Sequence, residues 1–133
     1  MSEQLDLVRT IYAAWERDDY SSLAWAHPEM EYTIADGPSP GSWRGVDGMV
    51  SGFREVLAAW EDWRVVANDY LELPGDRVLV SFTCTGRGKT SGVELAQLHV
   101  NGATLFELDG DSVARIVQYF EKEHALADLG LLE

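Results

Sequence analysis

The chain has 133 residues, 46% of them apolar and 25% charged, and its ten basic against twenty-three acidic residues leave a formal charge of −13. That length fits one domain over residues 1–133, with a core that buries roughly two-thirds of the unfolded surface. No apolar run approaches the ~20 residues of a membrane helix, and the negative field repels phosphate backbones and anionic bilayers, which excludes nucleic acid and membrane as partners.

The start, MSEQLDLVRT, has no basic n-region and reads as domain rather than leader. Helix one runs through SEQLDLVRTIYAAWERDD. Leu5, Val8, Tyr12 and Trp15 fall at helical spacing, and Leu7, Ile11 and Ala14 widen the stripe. Ser2 stands at the N-cap. A short second helix is expected in SSLAWAH, capped by Ser21 or Ser22 and stopped near His27 by Pro28. The alternation of MEYTI reads as a strand, with Met30, Tyr32 and Ile34 on one face and Glu31 and Thr33 on the other. ADGPSPGSWRG is a loop by composition, and its Trp43 needs a surface to cover its ring. A third helix is expected from Gly45 to about Asp62, with Met49, Phe53, Val56, Leu57 and Trp60 as its apolar face. Gly48 and Gly52 lie four apart there, each at about 1 kcal/mol against Ala. Close approach of another backbone accounts for them, and so does plain tolerance.

Strands follow. WRVVANDYLEL turns at Pro74-Gly75-Asp76 into a strand from Arg77 to Thr85, whose Val78, Val80, Phe82 and Cys84 share a face. Cys84 is the only cysteine, so no internal disulfide forms, which fits a reducing cytoplasm. With no base or cation beside it in sequence it reads as an inert thiol. GRGKTSG is a flexible, basic hairpin tip. Val93 to Val100, Asn101-Gly102 and Ala103 to Leu108 come next. Asp109-Gly110 closes a hairpin into Val113 to Phe120, and EKEHALADLGLLE is a short helix ended by Gly130. Strands clustered behind short turns mean a mainly antiparallel sheet and an α+β fold. Three helices in the N-terminal half and a curved sheet enclose a cone-shaped core, with the short helix at the C-terminus.

Four stretches carry a resemblance: Tyr12-Ala13-Ala14-Trp15 with Asp18-Asp19; His27-Pro28-Glu29-Met30-Glu31-Tyr32; Trp43-Arg44-Gly45; and Asp109-Gly110 through Tyr119-Phe120 with Ala125 to Leu131. In this order and spacing the chain resembles the SnoaL-like branch of the nuclear transport factor two-like superfamily, which includes ketosteroid isomerases, polyketide cyclases and epoxide hydrolases. The resemblance implies a cystatin-like α+β barrel with a conical, mainly apolar pocket for a small hydrophobic ligand, and a homodimer through the sheet. Asn101-Gly102 reads by propensity as a two-residue hairpin turn, whereas the family pattern has one long bent strand there. A bulge or kink within Val93 to Leu108 is expected, since a bulge bends a strand into a cone.

The chemistry is less marked than the fold. Ketosteroid isomerase-like members take a proton with an aspartate near the end of the first strand and stabilise the enolate with acidic and phenolic hydroxyls. On that pattern Ile34 stands at the aspartate, Thr104 near the second acid and Ile11 near the phenol. The polar candidates left are Asp36, a base if burial raises its pKa or ordinary Asp-Gly-Pro turn chemistry; Tyr32, a hydroxyl into the cone or a core tyrosine; and His99, a general base or a structural histidine. His27 fits a helix-terminus cap and His124 an exposed helix face. Arg44 is expected to pair with carboxylates. Tyr12, Trp15, Trp43, Phe53, Trp60, Thr104 and Tyr119 form the expected ligand-binding set, the tryptophans pointing to a flat or polycyclic ligand. No cofactor or metal is expected: the histidines are scattered, no CxxC exists, and Gly86-Arg87-Gly88-Lys89 lacks the phosphate-loop spacing. Two functions stay open, an isomerase, cyclase or hydrolase on a small hydrophobic substrate and a non-catalytic dimeric ligand-binding or assembly module.

Overall fold

The computed structural model describes residues 3–17, 19–20, 23–36, 40–58, 60–88 and 97–131, without the side chains of 56, 60–62, 87–88 and 97–99. The caps expected at Ser2, Ser21 and Ser22, the tip at 89–92 and the strand start at Val93 lie outside these residues. The elements in order are α1 (Glu3–Glu16), β1 (Ala26–Ile34), β2 (Gly41–Arg44), α2 (Gly45–Ala58), β3 (Trp60–Leu73), β4 (Arg77–Gly88), β5 (Gln97–Asp109), β6 (Ser112–Tyr119) and α3 (Lys122–Asp128). The sheet order is β2-β1-β6-β5-β4-β3. All neighbours run antiparallel except β1 and β6, which are parallel. The class is the expected α+β, with a mixed curved sheet.

Alternation gives this sheet two faces. Met30, Tyr32, Ile34, Val78, Val80, Phe82, Cys84, Phe106 and Ile116 point to one, where α1 contributes Val8, Ile11, Tyr12 and Trp15 and α2 contributes Met49. Leu79, Ala103, Leu105, Val117 and Tyr119 point to the other, where α3 covers part of them with Ala125. Helices thus sit on both sides, and the larger core lies between α1, α2 and the concave face. Cys84 is fully buried, and burial pushes its thiol up to about 12, in keeping with an inert side chain.

Three expectations are corrected. The helix in SSLAWAH does not form among the described residues: 24–25 are a turn, closed by Ala26 N–H on Leu23 O, and β1 begins at Ala26. The Trp25 carbonyl is taken by the Val113 N–H of β6, so the segment is drawn into the sheet. Pro28 then sits where the β1–β6 register shifts, between Ala26 and Glu31, as a residue without an N–H must. The second correction is that the helix begun at Gly45 stops at Ala58. Trp60 pairs with Gly88 at the end of β3, and its place in the ladder overrides its place in the helical stripe. Third, ADGPSPGSWRG holds a strand: β2 pairs with β1 through Tyr32 and Trp43.

Asn101-Gly102 is not a turn. β4 and β5 pair without a break from Arg77↔Glu107 to Arg87↔Gln97. The one register shift on β5 falls against β6, between Glu107 and Leu108. Gly102 instead allows a close approach: a Cβ there would stand 2.3 Å from the Tyr119 carbonyl oxygen and 2.6 Å from Phe82 Cζ. Gly52 has a similar role on α2, where a Cβ would lie 2.9 Å from Trp43 Cδ2 and 3.0 Å from Tyr32 Cδ2. What approaches the helix at Gly52 is a pair of aromatic rings; at Gly48 it is Trp43 Cβ, at 3.3 Å, and the Trp43 backbone carbonyl carbon, at 3.5 Å.

Candidate functional site

A cavity of about 50 Å³ lies between α1, α2 and the concave face. Tyr12 and Trp15 of α1, Tyr32 of β1 and Phe53 of α2 line it, all four expected from sequence. Tyr20, Leu57, Trp63, Val65, Gln118 and Phe120 complete the wall. Seven of these ten are aromatic, and five of them form a connected cluster: Tyr12 meets Trp15 at 5.1 Å, Trp15 meets Phe53 edge-on at 5.5 Å, Phe53 meets Tyr32 edge-on at 4.8 Å, and Tyr20 stacks on Trp15 at 6.2 Å. Such pairs add about 1 kcal/mol each beyond their burial.

The cavity's polar groups are neutral. None of its described lining residues carries a carboxylate, an imidazole or an amine. Burial holds the Tyr12 and Tyr32 phenols well above their ordinary value, Tyr12 despite a hydrogen bond to Thr104 that lowers it. Both remain protonated. Thr104, fully buried, stands behind the wall: its Oγ1 donates to Gln118 Oε1 at 3.0 Å and lies 3.2 Å from Tyr12 Oη.

The remaining candidates sit elsewhere. Trp43 covers its ring on Tyr32, 5.8 Å away, and on α2 at Gly52. Arg44 pairs with Glu31 at 3.2 Å, both exposed, and Arg115 with Glu107 at 2.9 Å. The latter two lie on the strand face opposite the cavity. His99 pairs with Thr85 by backbone register, and its side chain, like that of Trp60, lies outside the described residues.

Asp36 and Tyr119 meet at α3. Asp36 Oδ1 accepts the Phe120 N–H, and its Oδ2 lies 2.7 Å from His124 Nδ1. His124 Nε2 lies 3.5 Å from Asp128 Oδ2, and Tyr119 Oη donates to the same carboxylate at 3.1 Å. Burial, then the Asp128 hydrogen bond, push the Tyr119 phenol up to about 12. This clasp ties the end of β1 to α3 and fixes Phe120, a cavity wall, by its backbone. His124, read from sequence as an exposed helix position, is its centre; nothing local in the sequence marks a partner 88 positions away.

The hydrogen bond to Asp36 raises the His124 pKa above 6.5, helped by the Asp128 and Glu121 charges and opposed by desolvation. A raised folded-state pKa stabilises fully below the unfolded value, and the benefit is lost as pH rises through the folded one. The melting temperature of wild type should therefore exceed that of His124→Gln by most below the ordinary histidine value of about 6.5 and by less as pH rises above it. A gap that widens with pH would refute this assignment.

A family model described as the SnoaL-like domain matches residues 8–116. Among solved structures, an NTF2-like protein from Burkholderia thailandensis superposes with a TM-score of 0.78 at 21% identity, covering 100% of both chains. An NTF2-like protein of unknown function from Burkholderia pseudomallei gives 0.76 at 21%, over 96% of this chain and 97% of that one. A putative SnoaL-like polyketide cyclase from Jannaschia gives 0.70 at 15%, over 86% and 83%. The sequence matches no curated protein.

Proposed function

The chain belongs to the SnoaL-like domain family, and from that premise we propose that it binds a small hydrophobic molecule in the cavity between α1, α2 and the sheet. The observation that carries this reading is the lining: seven aromatic walls with neutral polar groups among them. Aromatic and apolar surface with a few convergent polar atoms is the make-up of a ligand pocket.

The same lining favours binding over acid–base catalysis. A general base has to reach the proton it takes, and Asp36 has both oxygens engaged, one by the Phe120 N–H and one by His124. We assign Asp36 to holding the wall. Of Asp36 and Tyr32, the two catalytic candidates whose side chains are described, Tyr32 lines the cavity, and its raised pKa suits a hydrogen-bond donor rather than a base. Thr104 acts from behind the wall. Trp43 supports Tyr32, and Tyr119 supports the clasp. A dimer through the outer sheet face accords with Val66 and Leu71 standing 53% and 44% exposed on β3; sedimentation of the purified chain decides it. The free, buried Cys84 accords with a cytoplasmic setting.

Titration with naphthalene tests the pocket. Saturable shifts of the Trp15 and Trp63 indole N–H signals are expected, and Leu57→Phe, which fills the cavity, should abolish them while the rest of the NMR spectrum stays folded. Unsaturable shifts, or shifts that survive Leu57→Phe, would remove the reading.

A further inference from the structure

We propose that the cavity takes a neutral apolar molecule by a single carbonyl oxygen, held between the Tyr32 hydroxyl and the Gln118 side-chain amide. The inference rests on the ligand-binding reading above and adds what the ligand must present.

Its first ground is Tyr32. The residue is 3% exposed, and its hydroxyl makes no hydrogen bond to the described residues. Yet no described buried side-chain polar atom is sealed off without a partner. Tyr32 meets that condition by opening its hydroxyl into the cavity it lines. A phenol in that setting is an unfilled donor.

The second ground is the direction of a hydrogen-bond relay. Gln118 Oε1 only accepts, so the one proton of Thr104 is committed to it. Thr104 Oγ1 is then the acceptor in its contact with Tyr12, whose hydroxyl must donate. The relay runs Tyr12 to Thr104 to Gln118. It uses the amide oxygen and leaves the amide nitrogen, a donor only, with no bond among the described residues. Thr104 thereby orients Gln118 with its N–H groups toward the cavity.

Register brings the two free donors together. β1 and β6 are adjacent and parallel, with Tyr32 opposite Ile116 and Ile34 opposite Gln118. Tyr32 and Gln118 are diagonal neighbours on the cavity face. Two donors that open on one cavity match the two lone pairs of one carbonyl oxygen. Among the described lining residues an ammonium would find no carboxylate and a buried anion no cationic side chain, either of which is costly. A ligand with no acceptor would leave both donors unfilled.

The probes are 1-indanone and indane, bicyclic molecules of similar shape that differ by the ketone oxygen, titrated into the full chain by NMR. Wild type should bind 1-indanone about tenfold more tightly than indane, the effect of one to two neutral hydrogen bonds. Tyr32→Phe and Gln118→Leu should each cut that ratio to about threefold or less while changing indane affinity by less than about twofold. Indane thus reports that the pocket is intact. Equal affinity of wild type for both probes overturns the carbonyl inference and leaves ligand binding standing, as does a ratio unchanged in both variants. Saturable binding of neither probe overturns both.

Discussion

Gly102→Ala lowers the unfolding free energy by about 3 kcal/mol, at the upper end of what overpacking costs. The added methyl would stand 2.3 Å from the Tyr119 carbonyl oxygen and 2.6 Å from Phe82 Cζ. The first neighbour is backbone and cannot swing aside. Relief requires β5 to move from β6, although Ala103 pairs with Tyr119 at that point. The check is a urea melt in which the midpoint falls with little change in slope. Gly110→Ala is the contrast: it has positive φ but nothing within 4 Å, so it pays only backbone strain, about 1 kcal/mol. If the two variants melt alike, the close approach at Gly102 is not what shapes this part of the sheet.

Phe106→Ala costs about 4 kcal/mol, the range for a fully buried phenyl that leaves a hole. Phe106 is 0% exposed. Its ring stacks on Trp15 with centroids 5.8 Å apart and meets Tyr12 near edge-on at 6.3 Å. It therefore supports two cavity walls from below. The variant should show a lowered denaturant midpoint and a weaker near-ultraviolet circular dichroism band from Trp15. Retention of both would mean that α1 seats itself without this ring.

Much of this arrangement can be read locally. The stripe from Leu5 to Trp15 marks the buried side of α1, and four of its members, Val8, Ile11, Tyr12 and Trp15, are buried. Pro74-Gly75-Asp76 and Asp109-Gly110 mark the hairpins, and both take positive φ at their glycines. What escapes local reading depends on partners far along the chain. β2 is four residues inside a Pro/Gly-rich loop, and it is a strand because β1 offers it an edge. Asn101-Gly102 has the propensity of a turn, but its neighbours β4 and β6 keep it extended. Gln118 reads as a solvent-facing polar residue in a strand. Yet Ile116 and Phe120, two positions either side, are core residues, and that period of two places Gln118 on the inner face. The signal was present in the spacing and was masked by residue type. The Asp36–His124 contact has no such signal, because hydrogen-bond geometry between distant segments leaves no periodic trace.

The parallel pairing of β1 with β6 also governs the order of assembly. β2 and β1 can form a ribbon as soon as both are made, but the inner edge of β1 has no partner until Val113 arrives to face Ala26. That closure spans most of the polypeptide, and its entropy has to be met before the contact repays it. β3, β4 and β5 are joined in sequence as a meander and face no such delay. During synthesis the core face of β1, with Met30, Tyr32 and Ile34, therefore waits along that edge for a strand made at the far end of the message. Contacts of that separation make folding slow and leave apolar surface open to aggregation meanwhile. β1 is translated early and closed into the sheet late.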